Sequence, residues 1–174
     1  DMDREGMLVE GFDHLSTMYI NYNYPYYAKH MERLGFEKDN DYVEYRVKVP
    51  EVTPEKFSRT AELIEKRYHL EPRKFNYHDM TKGGRGRELF NILNITYSNL
   101  YGYSHLSDEQ IDTLVNNYIK LADLNLVTCV VDTEQNDKMV GFGVSFPSFS
   151  EALRKTHDGH LFPFGWWHLL KALK

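Results

Sequence analysis

Apolar residues recur along this chain in two rhythms, one of period two and one of period near 3.6. Residues 42–49, YVEYRVKV, alternate strictly, with Val43, Tyr45, Val47 and Val49 on one side and Glu44, Arg46 and Lys48 on the other. That pattern predicts a half-buried strand. Before it, the tyrosine-dense stretch MYINYNYPYY at 18–27 runs into Pro25, whose fixed φ suits a first helical turn. The helix YYAKHMERL follows and stops at Gly35, where a left-handed cap needs no Cβ. A second helix, about Pro54 to His69, carries Phe57, Ala61, Ile64 and Tyr68 at helical spacing. A short strand near 71–77 and a glycine-rich turn, KGGRGRE, lead into a helix over roughly 87–101 with Leu89, Phe90, Leu93, Tyr97 and Leu100 inward. Ser107 with Gln110 three residues on forms a capping box before Ile111, Leu114, Val115, Tyr118 and Ile119. The apolar runs 126–131 and 139–146 flank a polar turn at 133–138 and read as a hairpin. From Ser148 the chain turns helical again, and Asp158-Gly159-His160 breaks that helix before an aromatic end, FPFGWWHLLKALK.

Composition sets bounds on what these elements build. With 174 residues, 41% hydrophobic and 27% charged, the chain suits one ordinary soluble domain or two small ones, and its Tyr, Phe, Leu and Val content excludes disorder. No apolar run approaches the ~18 residues of a membrane span. The charge-rich opening DMDREGMLVE is not a secretory signal. Cys129 is the single cysteine, which excludes an intramolecular disulfide and any multi-cysteine metal site and fits a reducing cytoplasm. A formal charge of -5 argues against a dedicated nucleic-acid binder. The basic cluster Arg73, Lys74, Lys82, Arg85 and Arg87, set against Asp79, has neither interleaved aromatics nor a recognition-helix pattern.

Few side chains carry readable chemistry. Gly83-Gly84-Arg85-Gly86 has the glycines of a phosphate-binding turn but not the spacing of either nucleotide-binding motif, so a loop before a helix is expected. His157 and His160 stand three apart, yet Gly159 breaks a helix there and no third ligand follows; exposed imidazoles in a turn are expected, and no metal. Cys129 lies within an apolar strand and reads as core. His14 beside Asp13 is an acid–base pair or a surface loop, with nothing to decide between them. Five phenols within nine residues, Tyr19, Tyr22, Tyr24, Tyr26 and Tyr27, exceed what one element buries with every hydroxyl satisfied. Tyr22, Tyr24 and Tyr27 are therefore the candidates to line a cleft or an interface.

Two longer segments add a resemblance. PYYAKHMERLGFEKDNDYVEYRV, a helix ending in Leu34-Gly35-Phe36 followed by the strand 42–49, resembles the C-terminal part of the GNAT superfamily of acyl-CoA N-acyltransferases. Residues 71–146 are similar to the front of such a domain: a strand, two helices and a hairpin whose second strand reads KMVGFGV. The order, tail first and front second, resembles bacterial proteins with two GNAT-like domains in tandem. Both ends look cut, so the chain is expected to be a piece of a longer protein. Its expected parts are 1–50, the end of a first domain; 51–70, a connector helix; and 71–174, the front of a second.

The resemblance implies an α/β fold of the α+β type: a mixed, mainly antiparallel sheet flanked by helices, incomplete, with strand 42–49 joining the hairpin. It implies transfer of an acyl group, acetyl foremost, from acetyl-CoA or another acyl-CoA to a small-molecule or protein amine. The amine attacks the thioester carbon directly, a carboxylate or ordered water takes its proton, and a Tyr protonates the leaving thiolate. Tyr22, Tyr24 and Tyr27 are the catalytic candidates on local chemistry, since none falls on a family motif. The superfamily's Arg/Gln-x-x-Gly-x-Gly/Ala loop, which holds the pyrophosphate on backbone amides, is absent from the sequence, so no acyl-CoA is expected to bind this chain. The alternative is a GNAT-like module that binds a partner or ligand without catalysis. Neither nucleic acid nor membrane is expected as partner, the location is expected to be cytoplasmic, and an unpaired sheet edge favours self-association.

Overall fold

A computed structural model of the chain describes residues 6–17, 20–119, 122–156 and 158–172. By their contacts these fall into two compact units, one of residues 42–146 and one joining 1–41 to 147–174. The segments 1–50, 51–70 and 71–174 concern a different question, the resemblance of each stretch, and they stand as a proposal.

The 42–146 unit is built on an antiparallel sheet, β1 (Leu70–Arg73), β2 (Val127–Asp132) and β3 (Lys138–Val144), in that spatial order. Alternation in β2 buries Val127, Cys129 and Val131, and the hairpin register sets Cys129 opposite Phe142 and Val131 opposite Met139. Helices α3 (Tyr77–Thr81), α4 (Arg85–Tyr97) and α5 (Asp108–Tyr118) cover the sheet. Met80, Leu89, Phe90, Ile111, Val115 and Ile119 meet Val127, Cys129 and Met139 in one core. The capping box of α5 forms as its sequence predicts: Ser107 Oγ accepts from Gln110 N–H at 3.2 Å, and the Gln110 amide oxygen accepts from Ser107 N–H at 2.9 Å. The same device starts α3, where Asn76 and Asp79 exchange bonds of 3.0 and 3.2 Å.

Helix α2 (Glu55–Tyr68) closes on His69 in the left-handed region, close to its predicted span. It buries nothing, however: Phe57, Ile64 and Tyr68 are exposed although their spacing points them to a core. Helical periodicity specifies a face, not a surface for that face to meet. The same reason overturns the strand at 42–49. Residues 42–49 do not form a strand, and the sheet has three strands, all antiparallel, among the described residues. Tyr45 and Val49 are 80% and 81% exposed. The expected joining of 42–49 to the hairpin does not occur, and the sheet is not mixed. A strand needs a neighbour for its amides as well as an alternating face. Two further boundaries differ: β1 stops at Arg73 because Asn76 turns the chain into α3, and α4 runs 85–97, leaving Tyr97 and Leu100 exposed. The α+β class stands.

In the other unit, α1 (Tyr26–Arg33) ends as predicted at Gly35, with φ 88°. Phe36 N–H reaches Met31 C=O at 3.1 Å and Gly35 N–H reaches Glu32 C=O at 3.0 Å, a Schellman closure. The remaining helices are α6 (Ser150–Arg154) and α7 (Gly165–Ala172), which pack on each other. Asp158 and Gly159, both at positive φ, make the break that the sequence predicts. No helix among the described residues is long and apolar enough to cross a membrane.

Candidate functional site

Two features of the unit formed by 1–41 and 147–174 have the makings of a site. The first is a ledge of tyrosines leading into α1. Tyr24 stacks on Tyr26 with centroids 6.0 Å apart, Tyr26 tilts onto Tyr27 at 4.9 Å, and Tyr22 meets Tyr24 edge-on at 6.5 Å. Asn23 pins the ledge by accepting from Leu8 N–H at 2.6 Å and donating to Leu8 C=O at 3.1 Å. Tyr22 Oη donates to Phe12 C=O at 3.2 Å. All four rings are about half exposed, so Tyr22, Tyr24 and Tyr27 lie side by side on a surface. Desolvation by its neighbours, then the Tyr27 phenol, pushes the Tyr26 hydroxyl above the usual phenol range. Tyr19 lies outside the described residues.

The second feature is a cavity of about 310 Å³ between the end of α6 and the start of α7, lined by Lys155, Thr156, His160, Phe162, Phe164 and His168 among others. Thr156 is buried and closes the end of α6 by donating from Oγ1 to Leu153 C=O at 2.6 Å. The turn 160–165 then folds back on α6, and Gly165 permits it: a Cβ there would collide with the His160 carbonyl and lie 3.2 Å from Thr156 Cγ2. Trp166 N–H and its indole Nε1–H cap the turn on Leu161 and Pro163 carbonyls at 2.9 and 3.1 Å. Two imidazoles and an ammonium consequently face one space, a set able to donate hydrogen bonds or to accept a proton. His160 reaches it, whereas His157 lies outside the described residues. Sequence reasoning missed the pairing of His160 with His168, because eight residues and a fold-back separate them.

The other sequence candidates resolve into structure. Among the described residues, no three His, Cys, Asp or Glu side chains gather as a metal site would require. His14 and Asp13 are 3.9 Å apart and exposed. Cys129 is buried, and desolvation, partly opposed by Lys74 and Arg85, pushes its thiol pKa up. It is core, as predicted.

Four of the five cations in the basic cluster, and the glycine turn, are engaged internally. Arg73 joins Asp137 at 2.5 Å and Glu71 at 2.7 Å; Arg85 joins Glu88 and the Asp137 carbonyl, each at 2.8 Å; Arg87 joins Asp108 and Asp112, each at 2.9 Å. Lys74 donates to Asn125 and Val127 carbonyls, each at 2.7 Å. Gly84 caps α4, while Gly83 and Gly86 are close-packing positions: a Cβ would lie 2.8 Å from Asp79 O and 2.5 Å from Met80 O, respectively. Gly83 N–H already donates to His78 C=O at 2.9 Å. The turn therefore serves as a packing joint.

What the fold and site define is an α+β chain with an aromatic ledge and a histidine–lysine cavity. Comparison with known proteins finds distant relatives. Protein YghO of Escherichia coli (strain K12) is 25% identical over 172 residues, 97% of this chain and 42% of that protein. The bacterial ceramide synthase of Caulobacter vibrioides is 25% identical over 173 residues, again 97% of this chain and 42% of that protein. The chain thus spans well under half the length of these curated relatives. No family model matches, and no solved structure matches.

Proposed function

We propose that this chain is part of an enzyme of the GNAT type that forms an amide by moving an acyl group from an acyl-CoA to an amine. The observation that carries the reading is the likeness to a bacterial ceramide synthase along nearly the whole chain. A ceramide is an N-acylated long-chain amino alcohol, so its synthesis joins an acyl group to an amine. The same bond formation follows from the resemblance of 25–47 and 71–146 to the two ends of a GNAT domain. A lipid-like amine becomes a stronger acceptor candidate than a protein amine.

The chemistry asked of the protein is modest. The attacking amine must lose a proton and the leaving thiolate must gain one, tasks for a positioned proton acceptor and a positioned proton donor. His160 and His168 are the proposed acceptors, and the phenols of Tyr22, Tyr24 and Tyr27 the proposed donors; both sets belong to one compact unit. No residue is proposed to hold the donor's pyrophosphate, and no step is assigned to it. The test is incubation of the full gene product with a long-chain acyl-CoA and a long-chain amino alcohol, with amide detected by mass spectrometry. Amide that falls at least tenfold with His160→Gln or His168→Gln supports the reading. No amide with any acyl-CoA and amine pair overturns it.

The second reading, a GNAT-like module that binds without catalysis, is favoured by the internal use of Arg73, Arg85, Arg87 and the glycine turn. It predicts amine-lipid binding with no acyl-CoA binding, in calorimetric titration of either the chain or the full product.

A further inference from the structure

The segment 161–172 turns its apolar side outward. Residues of a helix advance about 100° each, so Trp166, Leu170 and Trp167 share one side of α7 with Lys171 at its border. Those residues are exposed, whereas Gly165 is buried, His168 and Leu169 are half-buried, and Gly165 and His168 line the cavity. The preceding turn adds Leu161 with Phe162 and Phe164, which are 80% and 72% exposed. A water-facing helix would carry the reverse polarity.

We propose that this aromatic edge docks on the surface of an anionic lipid bilayer. Exposure alone does not select that partner, because α2 and residues 42–49 are also exposed. Their apolar residues, however, alternate with Glu44, Glu55, Glu62 and Glu65. The edge at 161–172 contains no carboxylate, and the cations Arg154, Lys155 and Lys171 around it outnumber Glu151 and Asp158, in a chain of net charge -5. Clustered indoles and phenyl rings flanked by cations match the boundary between headgroups and acyl chains: the rings enter the apolar side and the cations meet phosphate. Phe162 and Phe164 also line the cavity that holds Lys155, His160 and His168, so a headgroup reaching between the rings meets hydrogen-bond donors. This departs from the expectation of no membrane partner, which considered only spanning runs and secretory signals.

The molecule carries its own reporter, because both of its two tryptophans are in this edge. The chain is titrated with vesicles of phosphatidylcholine, and of phosphatidylcholine mixed with phosphatidylglycerol, reading tryptophan emission and co-sedimentation. The expected result is a blue shift and co-sedimentation with the mixed vesicles, weakened by salt and by about fivefold for each of Lys155→Gln and Lys171→Gln. Phe162→Ser with Phe164→Ser keeps both indoles and abolishes the shift; Tyr45→Ser, equally exposed elsewhere, leaves it unchanged, and circular dichroism verifies that each variant is folded. Equal binding to both vesicles, or binding to neither, overturns the proposal. A shift that needs no vesicles and grows with protein concentration also overturns it, and assigns the edge to a second copy of the chain. No acyl donor or amine is present, so the result is independent of the acyl-transfer reading.

Discussion

Asn94 holds both backbone groups of Leu106: its side-chain Nδ2 donates to Leu106 C=O at 2.9 Å, and its Oδ1 accepts from Leu106 N–H at 2.8 Å. Tyr103 Oη donates to the same oxygen at 2.6 Å. One buried amide thereby fastens the loop between α4 and α5 and delivers Leu106 to the core. Desolvation, then the neighbouring Tyr97, keeps the Tyr103 hydroxyl above its usual pKa, which preserves it as a donor.

Removing the amide orphans two backbone groups, whereas removing the phenol costs one bond. Asn94→Ala is expected to lower stability by about 2 kcal/mol or more, and Tyr103→Phe by about 0.5–1.5 kcal/mol. Urea unfolding of the two variants checks the order.

Gly86 and Val115 set a second test. A Cβ on Gly86 would lie 2.5 Å from Met80 O and 3.1 Å from Val115 Cγ2, so Gly86→Ala is expected to cost about 1–3 kcal/mol by overpacking. Gly143→Ala, whose Cβ meets nothing within 4 Å, is expected to be near neutral. Thermal unfolding separates them. Were the turn a phosphate cradle instead, Gly86→Ala would act on anion binding rather than on stability.

The features that were legible in the sequence are those settled by neighbours along the chain. Ser107 and Gln110 cap each other whatever surrounds them, Gly35 ends α1 by its own φ, and the hairpin closes around its polar turn. Asn76 and Asp79 carry the same kind of local signal, but a strand assigned near 71–77 runs over Asn76 and hides it. Features settled at a distance were not legible. Gly86 is constrained by Met80 and Val115, and the cavity exists because Gly165 lets the chain return to Thr156. Tyr22, Tyr24 and Tyr27 were legible as a surplus of phenols; that they form a stacked surface ledge depends on Asn23 tying the segment to Leu8.

Cys129 links burial to pH. Its folded-state pKa is raised, so the folded chain favours the neutral thiol and the unfolded chain ionises first. Between the unfolded thiol pKa of about 8.5 and the higher folded value, the unfolded state binds fewer protons, and stability falls as pH rises. Below that window the term is constant. Denaturation midpoints across this range are expected to decline for the native chain and to flatten in Cys129→Ala.

Arg73, Lys74, Arg85 and Arg87, four of the five cations of the basic stretch, are engaged by Glu71, Glu88, Asp108, Asp112, Asp137 and backbone carbonyls. The counterion release that drives nucleic-acid binding needs free cations. Filter binding with double-stranded DNA is therefore expected to show no affinity beyond that of a non-specific acidic protein. A steep salt dependence that Arg73→Gln reduces would contradict the internal pairing.

Residues 42–49 provide the sharpest contrast between pattern and partner. Val43, Tyr45, Val47 and Val49 have the alternation of a strand and the exposure of a loop, while Val131, with the same alternation, is fully buried between two neighbouring strands. Burial rather than propensity sets the value of a β-branched side chain in a sheet. Val47→Thr is therefore expected to change the stability of this chain by less than about 0.5 kcal/mol. Val131→Thr places a hydroxyl in an apolar site and is expected to cost about 1–3 kcal/mol. Hydrogen exchange gives the same contrast at the backbone: amides 43–49 exchange early and those of 128–131 late. Late exchange at 43–49 in the 174-residue chain would mean that the segment has found a strand to pair with.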